Sequence, residues 1–245
     1  MDFIQDIMDV ITKYLDDGYL YDCNKYLNSL KYYKLNRKYS LKYILYEYGH
    51  DEDDERFEKF ILKIPKNKFS LNLSCYTILN DVSLLGGLHT LNLSGCTEII
   101  DVSNLGKLHT LNLRSCKKIT DVSMLCGLHT LNLTNCYKIT EVSMLCGLHT
   151  LNLTNCYKIT DVSALGKLHT LDLSYCDITD VSALGKLHTL DLSYCGNITD
   201  VSMLGGLHTL KLSGCPRITD ISMLDKVCEL IVHVVKIYNI LFNYY

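Results

Sequence analysis

From about residue 70 onward the chain alternates apolar and polar residues in one short phrase, L-H-T-L-x-L-S-x-C, which returns again and again. Alternation with a period of two is the mark of a strand whose two faces meet different surroundings. In the copy at 101–120, Leu111 and Leu113 are predicted to face a core, and Thr110, Asn112 and Arg114 the opposite side. Cys116 follows at an inward turn, and Ile119 faces inward again. Val122 and Leu125 then return to the core three residues apart, the spacing of a short helical turn that Asp121 or Thr120 is suited to cap. Gly closes that turn (Cys126 and Cys146 in two copies), and a left-handed exit is expected there. The next strand is reached at Leu128.

The complete unit reads D-V-S-x-L-G-x-L-H-T-L-x-L-S-x-C-x-x-I-T, with full copies starting at Asp81, Asp101, Asp121, Glu141, Asp161, Asp180 and Asp200. One such unit buries too little apolar surface to fold alone. Stacked neighbours share a continuous core, so the pattern predicts a solenoid. A partial copy precedes the full ones, and an eighth opens at Asp220 and degenerates, with 229–232 able to form a ninth strand. Open sheet edges invite pairing with other chains, and the apolar residues 234–245 are expected to cap one of them.

The string L-x-x-L-x-L-x-x-C-x-x-I-T-D resembles the leucine-rich repeat, in the cysteine-containing variety found in F-box proteins. The resemblance covers residues 70–233, seven full repeats (81–219) and partial repeats at the ends. It implies an α/β solenoid in which each repeat gives one parallel strand to the concave face of an arc. Units of 19–20 residues leave no room for a convex α-helix, so a 3₁₀ or extended return segment and shallow curvature are expected. The wording of the copies also resembles repeat proteins of giant amoeba-infecting DNA viruses, of the mimivirus kind.

Residues 1–69 hold no repeat. Ile4, Ile7, Met8, Ile11 and Leu15 fall on one helical face, and further amphipathic stretches follow around Tyr26 and Ile44, giving a small all-α domain over 1–50. A linker helix or solenoid cap is expected over 51–69. The acidic run at 51–55 reads most simply as a solvated helix start, with an acidic docking site as the other reading. The order of residues in 5–27 resembles an F-box, though without its Leu-Pro start or its Trp. That resemblance implies docking to the Skp-type adaptor of a cullin–RING ubiquitin ligase through Ile7, Ile11, Leu15 and Leu20. The alternative is that these helices only cap the solenoid.

Charge narrows the choice of partner. The net charge is −3, and residues 1–69 carry 12 basic against 13 acidic side chains, so no basic stripe offers itself to nucleic acid. Eight of the twelve Cys recur at or next to one position of the unit, which makes them a product of repetition rather than a disulfide framework. The N-terminus lacks the basic and apolar regions of a signal peptide, and residues 230–245 are too short and too polar to span a bilayer. A reducing cytoplasmic location is expected.

Repetition also builds columns. His89, His109, His129, His149, His169, His188 and His208 are expected to stack along one sheet edge, as a metal-binding or pH-sensing comb or, more simply, as a copied polar position. The Cys column has no C-x-x-C pair and reads as small buried residues rather than zinc ligands. Cys and His sit at opposite ends of each strand, and nothing resembles a phosphate loop or a carboxylate pair. No enzyme, cofactor or metal is expected. The candidate partner surface is the concave face, with Asn112, Arg114, Asn132, Asn152, Asp172, Asp191 and Lys211 joined by Tyr175 and Tyr194 as aromatic anchors. The sequence thus predicts a monomeric interaction protein, an adaptor that presents an unidentified target protein to the ligase.

Overall fold

The computed structural model describes residues 70–77 and 79–232. Nine strands of three residues follow one another: β1 (Ser70–Asn72), β2 (Thr90–Asn92), β3 (Thr110–Asn112), β4 (Thr130–Asn132), β5 (Thr150–Asn152), β6 (Thr170–Asp172), β7 (Thr189–Asp191), β8 (Thr209–Lys211) and β9 (Glu229–Ile231). They pair in parallel, in sequence order, in a single sheet. The predicted helices of residues 1–69 and the predicted cap at 234–245 lie outside the described residues.

Every strand is in register with the next. Leu91 sits beside Leu111, Leu131 and Leu151, and Asn92 beside Asn112, Asn132 and Asn152. The copy starting at Asp161 is one residue short, yet Asp172 still pairs with Asp191. The missing residue falls between Cys176 and Ile178, after the strand, where the turn seen in the other full copies is absent. Length variation is thus absorbed on the return path and never reaches the sheet.

The core is one column per apolar position. In the 101–120 copy Leu111, Leu113, Cys116 and Ile119 are fully buried, and Val122, Leu125 and Leu128 of the next turn complete the layer. Return segments are 3₁₀ turns, such as Ser103–Leu105 and Ser163–Leu165. Asp121, rather than Thr120, accepts from the turn: its Oδ1 takes the Ser123 N–H at 2.9 Å. The same bond recurs at Asp101, Asp161, Asp180, Asp200 and Asp220 and, through its longer side chain, at Glu141.

The glycine that closes the turn corrects the expected left-handed exit. Gly106 has φ −67 and ψ −6, an ordinary right-handed conformation. What demands glycine is stacking, since a Cβ there would lie 2.1 Å from the Met124 carbonyl oxygen of the following repeat. Left-handed backbone occurs instead one residue before the Cys position, at Cys75, Ser115, Asn135, Asn155, Tyr175 and Tyr194, with φ between 60 and 62; Cys75 thus stands one place ahead of the column, which Tyr76 enters in its stead.

Where Cys126 and Cys146 replace that glycine, the turn lengthens to five residues, Ser123–Gly127 and Ser143–Gly147. After Cys126 the tight approach passes to the next residue, for a Cβ on Gly127 would meet the Gly106 carbonyl oxygen at 2.5 Å, whereas one on Gly147 would find its nearest neighbour at 3.4 Å. Lys occupies the equivalent place at Lys107, Lys167 and Lys186. Gly127 leaves no room for a side chain there.

Candidate binding surfaces along the sheet

The third residue of each strand, with the second and third residues after it, forms a polar surface beside the buried leucines. Asn112 is half-buried, and its Oδ1 accepts the Arg114 backbone N–H at 3.0 Å. The same bond holds at Asn132, Asn152, Asp172 and Asp191. An acceptor that takes the N–H two residues on, just before a left-handed residue, stabilises the turn out of the strand, so this column serves the fold as well as the surface. That double role is why Asn and Asp interchange there.

Beyond that common bond the column differs from copy to copy. Thr134 donates to Asn152 Oδ1 at 2.8 Å, and Asn152 Nδ2 donates to Asp172 Oδ2 at 3.0 Å. Asp172 Oδ1 also accepts the Ser174 hydroxyl at 2.6 Å. Asp191 pairs with Lys211 at 3.2 Å. Burial pushes the Asp191 carboxyl up, but the bonds from Ser193 and the Lys211 ammonium outweigh it and leave the group below its ordinary value. Arg114 is exposed at the other end of the array.

Tyr175 and Tyr194 stand beside these carboxylates. Their rings stack with centroids 4.5 Å apart and planes 10° from parallel. They remain 50% and 54% exposed despite that contact. Gly214, one repeat on, makes room for the stack: a Cβ there would lie 2.5 Å from Tyr194 Cδ1. Both tyrosines hold left-handed backbone, which is uncommon for a bulky residue.

A second stacked pair, Tyr137 and Tyr157, has centroids 5.4 Å apart. Asn155 Nδ2 reaches the Tyr137 hydroxyl at 3.5 Å and Asn135 Oδ1 at 2.9 Å, joining this pair to the same ridge. Nothing within a single repeat singles out these two tyrosines. Their signal was identical placement in adjacent copies, which predicts stacking as surely as it does for His. Met124, Met144, Met203 and Met223, all exposed, likewise share one position, on the 3₁₀ side.

At the opposite end of the strands the seven histidines form an unbroken stack, His89 to His208. Successive centroids are 4.4–4.7 Å apart and the planes 10–12° from parallel. Each Nδ1 lies 3.1–3.2 Å from the hydroxyl of the following Thr. Burial and, after it, the neighbouring imidazoles hold His109 and His188 below the ordinary value. Among the described residues no group of three or more His, Cys, Asp or Glu is placed to hold a metal ion.

The repeated cysteines are buried, and each thiol donates to a carbonyl of the preceding repeat, as Cys116 Sγ does to Leu93 O at 3.1 Å. Burial pushes Cys116 and Cys195 up to about 12, so these sulfurs stay protonated and unreactive. Ile7, Ile11, Leu15 and Leu20 lie outside the described residues.

A family model described as Leucine Rich repeat matches residues 107–126, 167–185 and 186–204. None of the curated proteins matches the chain. Among solved structures, an internalin of Listeria monocytogenes is similar at 26% identity and a TM-score of 0.56, over 73% of this chain and 57% of that one. The chain therefore spans little more than half of that internalin. Internalin C2 of the same organism is similar in fold, at 24% identity and a TM-score of 0.51, over 72% of this chain and 84% of that one.

Proposed function

We propose that this chain, a leucine-rich repeat protein with cysteine-containing repeats, is a target-recruiting adaptor. Proteins of this repeat class generally bind other proteins. In this reading the polar side of the sheet grips a target protein, centred on Tyr175 and Tyr194. Ile7, Ile11, Leu15 and Leu20 dock a Skp-type adaptor of a cullin–RING ubiquitin ligase. Catalysis then belongs to the recruited ligase, and the location is the cytoplasm, that of the host where the chain is virus-encoded.

The observation that carries the target-binding half is the Tyr175–Tyr194 stack. Two rings already ordered against each other lose little side-chain entropy on binding, and aromatic residues dominate binding hot spots. Asp172 and Asp191 beside them favour a target that brings a basic or hydrogen-bond-donating group to the rings. The docking half rests on the resemblance of residues 5–27 to an F-box.

The test is affinity capture by the full chain from amoebal or other eukaryotic lysate, alongside two variants. Ile11→Asp with Leu15→Asp should lose a Skp-type adaptor and its cullin while keeping the target. Tyr175→Ala with Tyr194→Ala should do the reverse. Absence of any cullin with the unaltered chain overturns the adaptor reading and leaves a binding module whose helices cap the solenoid.

A further inference from the structure

The histidine edge is not uniform. Between His129 and His188 it opens into a groove of about 540 Å³, floored by Leu128, Leu148 and Leu168. The groove has a cause in the sequence. Gly127 and Gly147 follow the lengthened turns at Cys126 and Cys146 and fall in adjacent copies, so two successive repeats lack the side chain that Lys167 and Lys186 supply in the next two. The result is a notch bordered by four imidazoles on one side and two ammonium groups at one end.

We propose that this groove binds a short, extended acidic peptide segment, held by His129, His149, His169 and His188 and by Lys167 and Lys186. Three features carry the assignment. The first is donor chemistry. Each Nδ1 is taken up by a threonine hydroxyl, such as Thr150 or Thr170. A hydroxyl can donate to Nδ1 of a neutral ring or accept from it in a charged one, so Nε2 carries a hydrogen in both states. The row of Nε2–H donors suits a row of carboxylate acceptors.

The second feature is charge. No carboxylate lines the groove. Glu141, Asp161 and Asp180 are engaged at the entry of their 3₁₀ turns, each accepting a Ser N–H. On the histidine edge itself Glu229 accepts from Thr209, beyond His208 and outside the groove. The positive groups are therefore unopposed, and protonating the stacked rings without an anion costs mutual repulsion. Burial and neighbouring rings already hold His188 low, so an acidic ligand and protons should bind together.

The third feature is length. Four rings separated by three steps of 4.4–4.6 Å match about four residues of extended chain. With only two lysines and a net charge of −3, the surface favours a short acidic segment over a long polyanion such as nucleic acid. The groove lies at the other end of the strands from Tyr175 and Tyr194, so it stands or falls independently of the adaptor reading.

The test is fluorescence anisotropy of labelled hexaglutamate with the full chain, at pH 5.5 and 8.0 and fixed ionic strength. The peptide remains largely charged at both values, so the pH dependence reports the protein. Binding should be at least tenfold tighter at pH 5.5. His149→Gln with His169→Gln should abolish that difference, and Lys167→Glu with Lys186→Glu should weaken binding at both values. Tyr175→Ala with Tyr194→Ala should leave it unchanged. Circular dichroism checks the fold of each variant, and Lys186→Glu alone, at an exposed position, serves should a double variant fail to fold. Equal affinity in the lysine variant, absence of binding at pH 5.5, or tighter binding of a single-stranded DNA hexamer would each overturn the assignment.

Discussion

The Cys136 thiol donates to the carbonyl of Leu113 in the preceding repeat at 3.2 Å, tying two layers together through an otherwise apolar interior. The Leu113 carbonyl also accepts the Cys116 N–H of its own turn, so the thiol fills its second lone pair. A buried donor of modest polarity suits this place, because its loss leaves an acceptor already half satisfied.

Cys136→Ala should therefore cost about 1–2 kcal/mol, from the lost bond and the small void together. Urea denaturation with an unchanged m-value checks it. A loss below a few tenths of a kcal/mol would mean that the thiol bond contributes nothing.

Thiol reactivity should divide the cysteines sharply. Cys126 and Cys146 are exposed, while Cys96, Cys116, Cys136, Cys156, Cys176, Cys195 and Cys215 are buried. Burial pushes Cys96 and Cys156 up to about 11. Brief alkylation of the native chain at pH 8, mapped by mass spectrometry, should label Cys126 and Cys146 and spare the column until denaturant is added. Early labelling at Cys136 would contradict the packing described.

Two glycine substitutions should differ by several-fold in cost. A Cβ on Gly185 would lie 2.1 Å from the Met203 carbonyl oxygen, whereas one on Gly147 finds its nearest neighbour, the Cys126 carbonyl oxygen, at 3.4 Å. Gly185→Ala must push two repeats apart and is expected to cost more than about 2 kcal/mol. Gly147→Ala should be neutral, or stabilising by up to about 1 kcal/mol through the unfolded state. Paired denaturant curves decide, and equal effects would show that contact between the turns does not select glycine.

Stability should fall in two separate pH windows. His109 and His188 are held low by burial and then by neighbouring rings, so the unfolded chain binds their protons more readily. Their contribution is complete above the ordinary value of 6.5 and is lost as pH falls through the lower folded value. Asp101, Asp121, Asp161, Asp180, Asp200 and Asp220 are held low by the Ser backbone N–H that each accepts. Their contribution is complete above the ordinary value of 3.8 and is lost on further acidification. Thermal melts from pH 8 to 3 should show both declines, and His109→Gln with His188→Gln should flatten only the first.

The alternation of L-H-T-L-x-L was enough to read strand, face and core, because period two leaves no freedom once one side is buried. Twenty-residue spacing then set the parallel order and the His stack, since equal steps in sequence become neighbours in space. The turn was harder to read. Gly106 looks like a left-handed exit when one repeat is considered alone, and only contact with Met124 of the next shows otherwise. The left-handed residue is Ser115 or Tyr175, and nothing in those side chains announces it. The groove was hidden for the same reason: it arises from Gly127 and Gly147 acting across repeats, not within one. Ile7, Ile11, Leu15 and Leu20 rest on sequence resemblance.

The strict register of the strands makes the array a ruler. Groove and tyrosine pair lie at opposite ends of the strands, and the two copies that carry Tyr175 and Tyr194 also carry His169 and His188 of the groove. A copy added before Asp161 would lengthen the groove by a single strand spacing, about 4.8 Å, and leave the tyrosine pair untouched. Copies 121–140 and 141–160, which differ only at Asp121 and Glu141, are the natural place for such a change. The number of repeats thus sets how long a segment the groove can hold, in steps of one strand, while the length of the strand itself fixes how far that segment lies from the tyrosines.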